Sequence, residues 1–326
     1  MIASYGLRLV CLSLAVFLLV HTAMGAAVAL LAQAAVRAAE RVQPRLAARL
    51  LLAIRLLPVT SAIFVVAVFC VPSYLWLEQN AAAEEMGWTC LAAAVLAAGL
   101  WSDSAVNAVR TLVRSARYAR SWRRSAEAVR FDGQSLPAWV VKGATPIMAL
   151  AGILRPRLVL SRAVVDALSA EQLAVALRHE DAHRRSWDNF KRLLVAAAPG
   201  LLPRVDGFAA LERGWARMSE WAADDESVEG DSVRSLALAA ALVRVARLGN
   251  PAHATALEVS FCGDGSDLAL RVDRLLHPQT FAPETAPRTR VLAAAAAVTV
   301  MASVAGLTLQ APTLASAHRL FEYLVH

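Results

Sequence analysis

Long apolar stretches with almost no charged residues lie near both ends of the chain. They cover about 9–31, 56–77, 86–108 and 291–312. Because a helix needs about 20 apolar residues to cross the hydrocarbon core of a bilayer, the pattern predicts four membrane-spanning helices. The first stretch also resembles a signal peptide, but its mostly apolar run continues to Val36, past the small residues that would mark a cleavage site. We therefore interpret it as a membrane span.

The region between the third and fourth stretches has the pattern of a domain that mixes strands and helices. Short apolar runs at 139–141, 147–150 and 157–160 alternate with glycine and proline and predict strands. From Ser169 onward the apolar positions follow helical spacing, and Ser169 with Gln172 has the sequence of a capping box at a helix start. Further helical patterns follow at 211–225, 232–248 and 268–276.

Composition and charge place this domain on the cytoplasmic side of a membrane. The chain is 58% hydrophobic with a net charge of +7. Most of the basic excess is arginine in 37–55 and 110–130, whereas 78–85 contains acids and no basic residue. Since cytoplasmic loops are rich in Lys and Arg, we expect both arginine-rich segments to be cytoplasmic loops and both termini to be external. A nucleic-acid interface is not expected, because arginine beside apolar stretches is typical of a topology signal.

These patterns divide the chain into three parts. A membrane region at 1–109 holds the first three spans, and a cytoplasmic domain follows at 110–290. The remainder, 291–326, contains the fourth span and a short external tail. The predicted domain is long enough to form a hydrophobic core of its own.

The segment 178–183 contains the sequence His-Glu-x-x-His on a predicted helix. Residues four apart share a helix face, so His179 and His183 can present two imidazole nitrogens to one metal ion. Glu180 projects beside that face, where it can take a proton from a zinc-activated water. The pattern favours a catalytic zinc site with Glu180 as the general base.

A downstream helix supplies a third ligand for such a site. Catalytic zinc has three protein ligands and one open position. Glu220 and Asp224 also lie four residues apart on one predicted helix. We expect Glu220 to complete the ligand set and Asp224 to accept the outer N–H of a ligating histidine, which fixes the ring orientation.

Beyond the metal motif, the chain resembles the BlaR/MecR-type membrane zinc metallopeptidases. The segment 152–160 is similar to the Gly-x-x-Arg-Pro-Arg strand of that family, and 168–173 is similar to the start of its metal-binding helix. Asp188 matches an acid five residues after the second histidine, and 270–276 resembles a late motif. A protease domain between the third and fourth of four spans is also the layout of the family.

This resemblance implies an α+β, zincin-like metallopeptidase domain in a four-helix transmembrane anchor. It also implies one Zn2+ ion per chain, a location in the bacterial cytoplasmic membrane, and a cytoplasmic protein substrate such as a transcriptional repressor. Pro156 favours an edge position for the strand at 155–160, where a substrate backbone could add. The β-lactam sensors of this family carry a penicillin-binding domain after the last span. Few residues follow Pro312, so we expect that domain to be absent and a separate partner to sense any signal.

The sequence leaves the stabiliser of the transition state and the biological role open. His253 and Arg271 are the candidates for holding a developing oxyanion. An HtpX-like quality-control protease shares both metal motifs and is the alternative enzyme. A noncatalytic membrane signalling scaffold with a structural metal is the alternative of another class, although a structural site has no use for Glu180.

Overall fold

In the part of the chain that the structure describes, most residues are helical and one small mixed sheet lies among the helices. The computed structural model describes residues 5–77, 87–131, 138–143, 145–153, 156–200, 206–249 and 265–277. The helices are α1 (Tyr5–Ala39), α2 (Pro44–Val65), α3 (Val71–Leu77), α4 (Trp88–Ser125), α5 (Arg162–Ala167), α6 (Ala170–Arg185), α7 (Asp188–Ala197), α8 (Asp206–Val228), α9 (Ser232–Arg247) and α10 (Gly265–Leu276). The strands are β1 (Ala126–Val129), β2 (Ala138–Val141), β3 (Met148–Ala151) and β4 (Arg157–Ser161).

Within the described ranges, three helical segments are long and apolar enough to cross a membrane. They are Tyr5–Ala39, Pro44–Trp76 and Trp88–Arg124, and the second includes a π-helical turn at Val66–Cys70. In length and composition they agree with the three spans that the sequence predicts before residue 110. The fourth predicted span, 291–312, lies outside the described residues.

Most of the two arginine-rich segments is helical, and their position on the cytoplasmic side stays a prediction. A short turn at 40–43 joins α1 to α2. Arg45 and Arg49 therefore belong to α2. Arg110 and Arg124 both belong to α4, which runs without a break to Ser125. No glycine or proline interrupts the chain after Gly99 in that helix, so the helix continues past its apolar part.

The sheet has the strand order β1-β2-β4-β3. β2 and β4 are parallel, whereas β1 and β3 pair antiparallel with β2 and β4. The strand at 157–160 therefore has a neighbour on each side, and the expectation that it is an edge strand is wrong. Pro156 lies before the first residue of β4, where its missing N–H costs no hydrogen bond of the ladder.

The core of the domain lies between the sheet and helices α5, α6 and α9. Its fully buried side chains include Leu160, Val164, Ala176, Leu238 and Leu242. The predicted capping box is confirmed at the start of α6. The Gln172 amide donates to Ser169 Oγ over 3.2 Å, and the Ser169 amide donates to Gln172 Oε1 over 3.1 Å.

Helix α8 packs its first half against the α1–α2 hairpin. Leu51 of α2 and Leu211 and Met218 of α8 are buried in one apolar cluster at this contact. Arg55 donates to Glu212 Oε1 over 2.8 Å beside that cluster. The same helix carries Glu220 farther along, so the apolar hairpin supports an element of the candidate site.

Candidate metal centre

Helix α6 presents three chemically active side chains in a fully buried position. His179 and Glu180 are 0% exposed and His183 is 1% exposed. Val175, Ala176 and Leu177 bury the preceding turn of α6. Packing on both sides of the helix thus removes the His-Glu-x-x-His segment from bulk solvent.

Three donor atoms lie at the separations that one metal ion requires. The Nε2 atoms of His179 and His183 are 3.1 Å apart, and each lies 3.5 Å from one of the two carboxylate oxygens of Glu220. Two atoms bound at about 2.0–2.1 Å to a tetrahedral zinc ion are about 3.3 Å apart. The described residues therefore contain a buried group that could hold a metal ion, composed of the three side chains that the sequence indicates.

Asp224 lies behind His179, one turn of α8 beyond Glu220. Its Oδ1 is 3.0 Å from His179 Nδ1, so the Nε2 atom of that ring faces the donor group. A carboxylate in this position fixes the orientation of a metal-binding imidazole. The arrangement has the geometry expected from the spacing of Glu220 and Asp224.

Asp188 plays the corresponding part behind His183. Its Oδ2 is 2.7 Å from His183 Nδ1 and also accepts from Ser219 Oγ over 2.8 Å, while Lys191 Nζ donates to Oδ1 over 2.8 Å. Burial alone would raise the pKa of Asp188, but hydrogen bonding and charge from His183 and Lys191 lower it to about 2. The carboxylate therefore stays ionised beside the ring.

The chain reaches Asp188 through a strained residue. Trp187 has a φ of 57°, in the left-handed region, and is 55% exposed. For a residue other than glycine this conformation costs about 1–3 kcal/mol. Because of this tight turn, α7 begins directly after α6. The Asp188 carboxylate therefore lies beside the imidazole of His183, five residues before it.

Arg271 of α10 is buried and bonded to the acids of the site. Its Nε donates to Asp224 Oδ2 over 2.8 Å and its Nη2 to Asp224 Oδ1 over 2.6 Å. Nη1 lies 3.1 Å from Glu220 Oε2. Because the guanidinium binds both acids, its position indicates that it orients Asp224 and Glu220. His253, the other candidate for an oxyanion contact, lies outside the described residues.

The charges of the site favour a cation at the donor group. Burial alone would lower the pKa of His183, but the Glu220 and Asp188 carboxylates raise it to about 10. Burial alone would raise the pKa of Glu220, yet charge on His183 and Arg271 holds that pKa well below its usual range. A metal ligand must be a neutral imidazole, so a bound metal cation would take the place of the His183 proton.

Glu180 differs from the other acids of the site because neither of its oxygens has a hydrogen-bond partner among the described residues. Burial raises its pKa to about 7, although the charges of His179 and His183 oppose that shift. A carboxyl group near its pKa at neutral pH can both accept and return a proton. The buried, unpaired carboxyl is suited to general acid–base chemistry.

The sequence has no match among models of protein families, and a search of curated proteins finds no similar protein.

Proposed function

We propose that this protein is a membrane-bound zinc endopeptidase of the BlaR/MecR type, with an α+β, zincin-like catalytic domain. The observation that carries the proposal is the buried donor group of His179, His183 and Glu220, with the unpaired Glu180 carboxyl on the same helix as the two histidines. A structural metal site is composed of ligands and their supports alone. The added carboxyl favours catalysis over a structural role.

In this proposal each side chain of the site has its own role in peptide hydrolysis. A zinc ion held by His179, His183 and Glu220 would polarise the peptide carbonyl and lower the pKa of water. Glu180 accepts the proton of the attacking water and delivers it to the leaving amine. Asp224 and Asp188 hold the two imidazoles by their Nδ1 atoms, 3.0 and 2.7 Å away.

The substrate that we propose is a cytoplasmic regulatory protein, such as a transcriptional repressor. The charge pattern supports a cytoplasmic position for the substrate, since arginines cluster near the start of α2 and along the second half of α4. The regulatory role of the substrate is what the resemblance implies. In this orientation the protein lies in a bacterial cytoplasmic membrane with the catalytic domain inside and both termini outside. A separate sensor protein would supply the signal.

The test compares cells that produce the wild type with cells that produce Glu180→Gln. Glu171→Gln is the matched control, because Glu171 is an exposed acid in the first turn of the same helix. New peptide ends should appear in one or a few cytoplasmic proteins with the wild type and the control, and not with Glu180→Gln. New ends in many membrane proteins would favour the quality-control alternative. Identical peptide ends in all three strains would overturn the endopeptidase proposal and favour a noncatalytic scaffold.

A further inference from the structure

A polar cavity of about 500 Å³ lies where two apolar helices, α2 and α4, meet α7 and α8. The volume is within the range of about 300–1,000 Å³ that is usual for ligand sites. None of the three side chains of the metal donor group lines it. Its wall contains one charged side chain from each of the four helices: Arg55 of α2, Asp103 of α4, Arg192 of α7 and Glu212 of α8.

Two of these four charges neutralise each other within the wall. Arg55 Nε donates to Glu212 Oε1 over 2.8 Å. The Arg55 guanidinium also lies 4.9 Å from the centre of the Phe208 ring, and the residue is 7% exposed. The pair is therefore a fixed and neutral part of the cavity, and one arginine and one acid remain to interact with a ligand.

The remaining arginine is held in place without an ionic partner. The Arg192 guanidinium lies 5.7 Å from the centre of the Trp215 ring, and Trp215 is 5% exposed. No acid in the described part of the chain forms an ion pair with Arg192. A guanidinium that lies over an aromatic ring keeps its terminal N–H groups available for a planar or tetrahedral anion. Arg192 can therefore bind a phosphate group.

The remaining acid also has no ionic partner among the described residues. Asp103 is exposed and lies inside the predicted span 86–108, where a carboxylate is costly unless it is paired or hydrated. Asn107, one turn farther along α4, donates to the Ala196 carbonyl over 3.4 Å and so joins α4 to α7. The two helices thus bring Asp103 and Arg192 into the wall of one cavity, although no ion pair joins these two side chains.

The position of the cavity along the membrane helices corresponds to the level of lipid headgroups. Arg55 directly precedes the predicted span 56–77, and Asn107 is one residue from the inner end of the predicted span 86–108. Headgroups lie just outside the hydrocarbon core that such spans cross. Val106, beside Asn107, is 44% exposed, so an apolar surface for an acyl chain adjoins the polar wall.

We propose that this cavity binds the headgroup of phosphatidylethanolamine, with the phosphate on Arg192 and the ammonium on Asp103. A headgroup that is only anionic is disfavoured, because Asp103 and Glu212 line the same space. The trimethylammonium of phosphatidylcholine has no N–H to donate to a carboxylate, whereas a primary ammonium has three. This inference goes beyond the peptidase activity and does not depend on it, because lipid binding requires neither the metal nor a substrate.

The experiment measures lipid binding to the purified full-length protein in detergent by native mass spectrometry. Phosphatidylethanolamine, phosphatidylcholine and phosphatidylglycerol with identical acyl chains are titrated separately. The wild type should bind phosphatidylethanolamine about 2- to 10-fold more tightly than either of the others, the effect expected for one hydrogen bond. Asp103→Asn should remove that preference, because it alters the group that reads the ammonium. Arg192→Gln should weaken binding of all three lipids, because each of them carries a phosphate.

Arg110→Gln is the matched control, since Arg110 is an exposed arginine of α4 that does not line the cavity. It should keep the wild-type preference, and all variants should keep the wild-type zinc content. Equal affinity of the wild type for the three lipids, or an unchanged preference in Asp103→Asn, would overturn the proposal. If a variant does not accumulate, the wild-type comparison of the three lipids decides.

A last arm distinguishes a lipid from a soluble compound with the same ammonium and phosphate groups. Glycerophosphoethanolamine should bind at least about 10-fold more weakly than the lipid, because it lacks the acyl chains that contact the apolar surface. Equal affinity would assign the cavity to a soluble zwitterion and overturn the lipid proposal. The outcome is independent of the peptidase test, because a protein without cleavage dependent on Glu180 should show the same lipid preference.

Discussion

Two glycines of α8 make a matched test of the contact between α8 and the α1–α2 hairpin. A Cβ at Gly207 would lie 2.6 Å from the Ala29 carbonyl oxygen and 2.8 Å from Ala29 Cα, both backbone atoms of α1. A Cβ at Gly214 would meet only side-chain atoms, with Val36 Cγ2 nearest at 3.1 Å. Gly→Ala in a helix interior gains about 1 kcal/mol, which applies to Gly214, whereas Gly207 is the second residue of α8 and gains less. Only at Gly207 must two helix backbones separate, by roughly 0.5–1 Å if the contact is to become ordinary.

We expect Gly207→Ala to destabilise the protein and Gly214→Ala to leave it nearly unchanged. Overpacking against a rigid backbone costs about 1–3 kcal/mol, which exceeds the helix gain at Gly207. At Gly214 the side chain of Val36 can shift by a few tenths of an ångström. The small cost of close packing there nearly cancels the gain in helix propensity. Thermal unfolding in detergent, followed by circular dichroism, measures the difference. An equal melting temperature for the two variants would refute the close contact between α8 and α1.

Other variants test the supports of the metal centre. Asp188→Asn should weaken zinc binding about 10- to 100-fold, because it alters the carboxylate 2.7 Å from His183 Nδ1; a competition titration with a chromophoric chelator measures this, and unchanged affinity would contradict the assigned role. Arg271→Ala should lower the zinc affinity, and it should also lower the free energy of unfolding by about 3–5 kcal/mol. Both effects follow because the change leaves two buried acids without their cation. A lower kcat with unchanged zinc affinity would instead indicate an oxyanion contact. Ser169→Ala should cost about 1 kcal/mol in urea unfolding through loss of the capping box, and no loss would contradict that cap.

The sequence was sufficient to predict the donor group because its geometry is local. Residues four apart on a helix share a face whatever the rest of the fold does, so His179 with His183, and Glu220 with Asp224, are paired by spacing alone. The capping box at Ser169 is local in the same sense. Spacing alone does not show that these two helices meet. That contact is predicted because a catalytic zinc ion needs a third protein ligand.

Features that depend on contacts between distant segments could not be predicted in this way. The Arg271 guanidinium reaches Asp224 and Glu220 from α10, and nothing in its own sequence neighbourhood distinguishes a buried arginine from a surface one. The sequence does not predict the beginning of α7, because the polar segment after His183 has the composition of a helix end. The signal that was available was Asp188 itself, an acid in the first turn of a helix. The sequence does not predict the internal position of β4, because Pro156 favours an edge strand when it is counted in the strand that it precedes.

The measurement that tests the central claim most directly is the zinc content of three purified proteins together with their cleavage activity. Inductively coupled plasma mass spectrometry should find about one zinc ion per chain in the wild type and in Glu180→Gln, and little in the double variant His179→Ala/His183→Ala. Only the wild type should cleave its substrate, because Glu180→Gln retains the metal and loses the proton acceptor. Equal zinc content in all three proteins would contradict the metal centre, and full activity of Glu180→Gln would contradict the catalytic role of that carboxyl.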